Sequence, residues 1–253
     1  MDIPLASTSR IEKKPELVEA LKKVLPASSI IEDKAETLAY ECDALTAYRC
    51  PPMLVVLPET TAQVSEVLKL CHKMNIPVIP RGSGTSLAGG AMPSADSVVL
   101  GVSKMNSVLE TDYRNRFIRV QSGLTNIGVT NAVEDNGYFY APDPSSQLAC
   151  AIAGNIGMNS GGAHCLKYGV TSNNLLGVKL VTMDGQILEI GGAAFDSNGL
   201  DLLSVVCGSE GQLGIVTEAT LRILHKPEGA LPVLIGFNTV SYTHLRAHET
   251  LTD

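Results

Sequence analysis

A loop rich in glycine and hydroxyl side chains, residues 80–91, holds the residues of this chain that are best suited to binding chemistry. Glycines allow positive φ and let the backbone approach a ligand with no Cβ in the way. Consecutive N–H groups in such a loop form a concave nest that suits a pyrophosphate. The hydroxyls and the positive charge of Arg81 would add to that attraction. The candidate binding residues are Pro80, Arg81, Gly82, Ser83, Gly84, Thr85, Ser86, Gly89 and Gly90.

This loop differs from two well-known phosphate loops. No Gly-Lys-Ser/Thr follows it, so it is not a Walker loop. Its glycine spacing breaks the dinucleotide fingerprint, and no helix obviously opens at its end. Taken alone, the loop is equally well explained as a turn between two elements. Two later glycine-rich segments favour the binding interpretation.

The second segment, residues 154–162, follows a rigid turn at residues 142–146 that contains two prolines. It has too many glycines for a helix, so we expect an irregular loop whose backbone N–H groups could contact a ligand directly because side chains are absent. A plain turn and a plain glycine loop remain the alternatives. The candidate binding residues are Pro142, Asp143, Ser145, Ser146, Gly154, Asn155, Met158, Asn159, Gly161 and Gly162.

The third segment is a tight glycine turn that enters a strand, at residues 208–217. Its candidate binding residues are Gly208, Glu210, Gly211, Gly214, Ile215 and Val216. We interpret Glu210 as a solvated or structural carboxylate, since nothing in the sequence gives it a proton-transfer role. His164 is the one weak catalytic candidate, and the alternative is a structural histidine.

Together these motifs resemble, in order, those of the vanillyl-alcohol-oxidase-type (PCMH-type) FAD-binding flavoproteins. Pro-Arg-Gly-Ser-Gly-Thr-Ser followed by Gly-Gly is similar to the FAD pyrophosphate loop of that family. Within the family the set is most similar to the glycolate oxidase FAD-binding subunit and to the D-lactate and D-2-hydroxyglutarate dehydrogenases. The resemblance covers roughly residues 15–238.

The resemblance implies an α+β fold of two subdomains with FAD between them. It implies that the backbone of Ile215 and Val216 meets the adenine end. It also implies hydride transfer from a D-2-hydroxy acid to flavin N5, with electrons passing to an iron–sulfur subunit or a quinone. Many relatives attach the flavin to a histidine where this chain has Thr85, so we predict non-covalent FAD. In the family the catalytic base and metal ligands come from a C-terminal cap domain, which we expect to lie outside this chain, so no base is named.

Two other functions stay open. One is a different oxidase of the superfamily, of the aldonolactone or alditol type. The missing loop histidine and the Ala-Pro-Asp-Pro-Ser-Ser segment argue against it. The other is a non-catalytic flavin-binding module without a cap domain.

Composition excludes several function classes. The apolar share of 45% and charged share of 18% are those of a soluble globular protein. A net charge of −7 without a basic cluster argues against nucleic acid, and no apolar run reaches the ~18 residues of a membrane span. The N-terminus has no signal-peptide core, and the six scattered cysteines suggest reduced thiols. We therefore predict a cytoplasmic protein with no metal site, discounting His244 and His248, which lie in an atypical tail.

Periodicity and turn residues predict the remaining elements. We expect residues 53–57 and 78–80 to be parallel neighbours joined by a right-handed crossover, and Asp184-Gly185 to form a type I′ turn. The predicted helices are 15–25, 34–40, 60–75, 125–136 and 201–207, and the predicted strands are 53–57, 76–80, 98–102, 117–121, 175–183, 186–190 and 214–224.

The domain organisation follows from these elements and from the resemblance. We expect a disordered N-terminus at 1–14 and an FAD-binding domain at 15–228, with subdomains at about 15–104 and 105–228. Residues 229–240 would begin a truncated cap domain, and 241–253 would be a non-native tail. We therefore expect the chain to be a fragment.

Overall fold

The computed structural model describes residues 6–193, 199–229 and 231. The tail expected at 241–253 and most of the expected start of a cap domain at 229–240 lie outside these residues. The first part of the chain contains helices α1 (Thr8–Ile11), α2 (Lys14–Leu21), α3 (Lys34–Thr37) and α4 (Thr61–Met74) and strands β1 (Ile30–Ile31), β2 (Leu54–Val56), β3 (Val78–Arg81) and β4 (Val98–Gly101).

Helix α4 connects β2 to β3 and has the predicted cap and apolar face. The Thr60 hydroxyl accepts a hydrogen bond from the Gln63 N–H, and the helix is followed by Asn75, which has a left-handed φ of 54°. Its apolar stripe is buried against α2 and the first sheet. Burial of each such side chain contributes about 1.5–3 kcal/mol.

The first sheet has the strand order β1-β2-β4-β3, with β4 parallel to both of its neighbours. The expectation that β2 and β3 are neighbours was therefore wrong, because β4 lies between them. Proline has no N–H to donate to a second neighbour, so Pro80 suits an edge strand. The wholly buried β4 takes the central position instead. The candidate phosphate loop thus begins at the carboxyl end of an edge strand.

The second sheet is antiparallel throughout and has the order β5-β6-β10-β8-β9. Its strands are β5 (Val108–Asp112), β6 (Phe117–Gln121), β8 (Leu175–Val181), β9 (Ile187–Gly191) and β10 (Ile215–Arg222); β7 (Tyr138–Phe139) and β11 (Leu224–His225) pair separately. The helices of this part are α5 (Asn126–Asn131), α6 (Ile152–Met158), α7 (Cys165–Tyr168), α8 (Thr171–Asn174) and α9 (Leu202–Val206). The predicted α+β architecture with a mainly antiparallel second sheet is confirmed.

Two local expectations need correction. The β8–β9 turn is not type I′, since Gly185 has positive φ but Asp184 does not. The Gly185 N–H donates to the Thr182 carbonyl, and the Thr182 N–H donates to the Gln186 carbonyl. These bonds define a three-residue loop with a left-handed glycine. The N-terminal stretch is not wholly irregular either, because α1 is anchored by an ion pair of 3.0 Å between Arg10 and Asp96.

The two sheets share a core. The cluster formed by α2, α4, β2 and β4 also includes Val181 of β8 and Ile215 of β10. A second cluster packs α5, α6 and α9 against the second sheet. The loop that follows β3 and the helix α6 thereby meet where the two halves join. The boundary between subdomains near residue 104 remains a prediction.

Candidate functional site

A cavity of about 320 Å³ lies between the two halves, and all three predicted glycine-rich segments contribute to its wall. Predicted residues that line it are Pro80, Arg81, Gly82, Ser83, Gly84, Thr85, Ser86, Gly90, Ser146, Gly154, Asn155, Met158, Glu210, Gly211, Gly214, Ile215 and Val216. Predicted residues outside its wall are Gly89, Pro142, Asp143, Ser145, Asn159, Gly161, Gly162 and Gly208. The volume falls within the range of small-molecule sites.

The first loop offers unused hydrogen-bond donors to this cavity. Among the described residues, Gly82, Ser83, Gly84 and Thr85 form no hydrogen bond to another residue. Four consecutive backbone N–H groups and two hydroxyls are therefore free to bind a ligand. Such a run of donors in one concave loop suits the oxygens of a phosphate or pyrophosphate.

The Arg81 side chain connects the loop to residues 40–42. Its guanidinium donates to the Cys42 carbonyl at 2.7 Å and lies over the Tyr40 ring, 5.4 Å from the centroid. A Cβ at Gly84 would lie 2.3 Å from the Arg81 Nη2 atom, and the φ of +70° is one that favours glycine, so a side chain there would strain the loop and displace Arg81. Burial lowers the pKa of the Arg81 guanidinium from its ordinary value, but an arginine stays charged at neutral pH.

Residues 42–45 hold the far end of the same loop. The Ala44 N–H donates to the Ser86 carbonyl at 3.0 Å, and the Gly89 N–H donates to the Asp43 carboxylate at 2.9 Å. Asp43 is only 4% exposed. The sequence analysis missed Asp43, since nothing in its local pattern connects it to a loop some forty residues later.

The expected irregular loop at 154–162 is helical as far as Met158, where α6 ends, and irregular from Asn159, which has a φ of 47°. Ile152, Asn155 and Ile156 are buried and anchor one side of this helix. Glycine lowers helix stability by about 1 kcal/mol relative to alanine, but tertiary packing of the buried side outweighs that preference here.

The glycines of α6 lie on its cavity side. A Cβ at Gly154 would meet no described atom within 4 Å, and one at Gly157 would meet backbone only at 3.8 Å. A Cβ at Gly82 would lie 3.4 Å from the Gly154 nitrogen. Loop and helix thus approach each other closely, and the space that a side chain at Gly154 would fill is part of the cavity. This bare backbone surface suits a flat ligand group.

The predicted binding residue Asn155 uses its side chain within the protein. It accepts a hydrogen bond from Asn126 at 3.0 Å and donates to the Cys150 sulfur at 3.3 Å. Asn126 also donates to the Pro142 carbonyl at 3.0 Å. The side chain of Asn155 therefore stabilises the cavity wall from inside.

The third segment, residues 208–217, completes the cavity wall and contacts both of the other segments. The Glu210 N–H donates to the Gly157 carbonyl at 2.8 Å. A Cβ at Gly211 would lie 2.6 Å from the Pro80 Cγ atom, so this turn packs directly on the start of the first loop. Glu210 has an unusual positive φ of 53° and leaves its carboxylate exposed in the cavity.

His164 lies outside the cavity wall, with 68% of its side chain exposed, and its Nδ1 lies 2.6 Å from the Asp143 carboxylate. Burial raises the pKa of the Cys207 thiol to about 11, so this thiol is protonated at neutral pH. Within residues 6–193 and 199–229, no group of three His, Cys, Asp or Glu is placed to hold a metal ion. Across the same residues, no helix is long and apolar enough to cross a membrane.

Several lining residues were not predicted. They are Leu87, Ala91, Val102, Cys150, Ala151, Ala153, Ile156, Gly157, Ser160, Val206 and Ser209. Most are neighbours of predicted residues within the same segments, and extending each motif would have found them. Val102 follows β4 and carries no local signal.

Comparison with known proteins adds a family match. The family described as "FAD binding domain" matches residues 52–191. The chain is 43% identical over 234 residues to "Glycolate oxidase subunit GlcD" of Escherichia coli (strain K12), which covers 92% of this chain and 47% of that protein. It is 32% identical over 228 residues to "D-lactate dehydrogenase" of Anaerostipes hadrus, which covers 89% of this chain and 48% of that protein.

A solved structure of alkyldihydroxyacetonephosphate synthase is also similar, with a TM-score of 0.77 and 25% identity. The match covers 90% of this chain and 42% of the synthase chain. The chain spans about half the length of the curated relatives it matches.

Proposed function

Because this chain belongs to the FAD binding domain family, we propose that the cavity holds FAD without a covalent bond. We further propose that the chain is the FAD-binding part of an enzyme that oxidises a D-2-hydroxy acid. The observation that carries the proposal is the pairing of a donor-rich loop, Gly82–Thr85, with the bare glycine side of helix α6 across one cavity.

Each wall segment suits a different part of the cofactor. The free N–H groups and hydroxyls of Gly82–Thr85 would bind the pyrophosphate oxygens. The glycine side of α6 would take the flat isoalloxazine ring, and the backbone at Ile215 and Val216 would meet the adenine. When bound, FAD supplies a two-electron acceptor, and donors on the protein tune it.

Thr85 supports non-covalent binding. It stands where many relatives of the resembled family have a histidine that bonds the flavin, and a threonine hydroxyl is not a comparable nucleophile. The Thr85 side chain lies in the cavity wall without a partner among the described residues. It is therefore free to donate a hydrogen bond to the cofactor.

The substrate class follows from the relatives, whose names are those of a glycolate oxidase subunit and a D-lactate dehydrogenase. Among the described residues that line the cavity, none is a histidine, and the exposed Glu210 is the one acidic side chain. We place the base that accepts the substrate hydroxyl proton in the part of the relatives that extends beyond this chain. The iron–sulfur or quinone acceptor and the cytoplasmic location stay predictions.

An anaerobic mixing experiment tests the substrate assignment. The FAD-loaded chain is mixed with glycolate, D-lactate and L-lactate while visible flavin absorption is recorded. A protein extended to the length of the relatives is treated in the same way. We expect the extended protein to be bleached by glycolate or D-lactate and not by L-lactate, and the 253-residue chain to keep its colour. Bleaching of the extended protein by alditols or aldonolactones alone would contradict the substrate class.

A further inference from the structure

We propose that Asp143 and His164 are positioning residues that fix the segment Asn159–Gly162 beside the flavin ring. This inference rests on the proposed binding of FAD. The side chains of Asp143 and His164 both lie outside the cavity wall, so they would act through the backbone that they hold.

Both oxygens of the Asp143 carboxylate contact the 162–164 turn. The His164 Nδ1 atom lies 2.6 Å from Oδ2, and the His164 N–H donates to Oδ1 at 3.2 Å. A carboxylate oxygen can only accept, so the ring nitrogen is the donor. A Cβ at Gly162 would lie 2.1 Å from the Asp143 carbonyl oxygen and 2.2 Å from Oδ1, so the turn is pressed against this aspartate.

The segment held in this way contributes Ser160 to the cavity wall and directly follows Met158, the last residue of α6. Met158 and Ser160 line the cavity. The Ser160 N–H donates to the Asn155 carbonyl at 2.9 Å, and the Ser160 carbonyl accepts from the Thr171 hydroxyl at 2.8 Å. The segment is therefore fixed at its start by α6 and α8. Its other end is held by the Asp143–His164 pair.

The stretch that contains Asp143 is itself connected to α6. The preceding carbonyl, that of Pro142, accepts from Asn126, whose side chain also bonds Asn155 of α6. Ser146, three residues after Asp143, lines the cavity. The Asp143–His164 pair thus joins two segments that are distant in sequence, one contributing Ser146 to the cavity wall and the other Met158 and Ser160.

The exposure of these two side chains indicates that loss of their contact would change the structure only locally. The His164 side chain is 68% exposed and that of Asp143 is 19% exposed. Solvent-exposed ion pairs contribute little to global stability. Loss of the imidazole should therefore displace the 159–162 backbone while the rest of the chain stays folded.

The test compares FAD with ADP, which carries the adenosine and pyrophosphate but no flavin ring. Both ligands are titrated into the wild-type chain, into His164→Ala, and into His164→Asn, whose amide N–H can replace the Nδ1 donor. We expect His164→Ala to weaken FAD binding roughly tenfold, the size expected for one lost hydrogen bond to a charged group. ADP binding should stay within about twofold, and His164→Asn should restore FAD binding to within about threefold on the same scale.

Equal weakening of FAD and ADP, or no change in either, would overturn the positioning role. Failure of His164→Asn to recover binding would overturn it as well. Failure of the wild-type chain to bind FAD would instead refute the proposed function, and the positioning role with it. Tight FAD binding by both wild type and His164→Ala would refute the positioning role alone.

Discussion

Substitution of Gly154 by alanine should stabilise the chain and weaken its binding of FAD at the same time. Gly154 lies in the first turn of α6 and has no positive φ. An added Cβ would meet no described atom within 4 Å, so the folded chain can accept it without a clash. The space that it would fill belongs to the cavity.

The gain in stability and the loss of FAD affinity expected for Gly154→Ala have separate causes and are estimated separately. Alanine in place of glycine inside a helix stabilises by about 0.5–1 kcal/mol. For a chain of this length that corresponds to a rise in Tm of roughly 1–4 °C. A methyl group forced into a packed contact with the flavin ring costs about 1–3 kcal/mol, or roughly fivefold to 150-fold in Kd.

The assay is a thermal melt of the chain without FAD and a fluorescence titration with FAD. The matched control is Gly192→Ala, since Gly192 is exposed, lies outside this cavity, and would place its Cβ within 4 Å of no described atom beyond its own chain neighbours. The control should leave FAD binding unchanged. Undiminished FAD affinity in Gly154→Ala would refute the assignment of the flavin ring to this side of α6.

Two further predictions concern the first loop and the N-terminus. Thr85→Val should weaken FAD binding by about 1.5–3 kcal/mol because it removes a donor to a charged group, whereas Thr85→Ser should bind like wild type. If wild type and both variants bind FAD with equal affinity in a titration, the proposed hydrogen bond from Thr85 to FAD is contradicted. Burial raises the pKa of the Asp96 carboxyl, but hydrogen bonds from Ser94, the Ser7 N–H and Arg10 lower it, with a net shift downward. A lowered folded pKa gives stability that is complete above the unfolded value of about 4 and is lost as pH falls through the folded value. Asp96→Asn should therefore lower Tm at neutral pH, and its difference from wild type should shrink as pH falls below 4; a difference that does not depend on pH would refute this role.

The sequence motifs located the cavity, because each one combines glycines with a strand or a turn that positions them. The loop after Pro80, the α6 glycines and the turn at Glu210 lie far apart in the chain but meet in space. Residues that support these motifs from elsewhere carry no such pattern. Asp43 and Val102 are examples, since their roles depend on tertiary contacts alone.

Helix α6 shows why propensity misled the prediction at 154–162. Two glycines within seven residues argue against a helix in isolation. The preference against glycine in a helix is worth only about 1 kcal/mol per residue, however. Burial of Ile152 and Ile156, each with no exposed surface, outweighs that penalty.

The order of the first sheet was not determined by connectivity. A right-handed crossover from β2 through α4 fixes the direction of β3 but not whether a strand lies between them. Pro80 was the available signal, because a proline near the end of a strand favours the sheet edge. The structure places β4, with every residue buried, in the middle.

The absorption spectrum of the purified chain, before and after acid precipitation, tests the central claim most directly. If the cavity holds non-covalent FAD, the protein is yellow or becomes yellow with added FAD, and acid releases the colour into the supernatant. Colour that stays in the pellet would contradict the role given to Thr85. A colourless protein that fails to bind added FAD would contradict the assignment of the cavity itself.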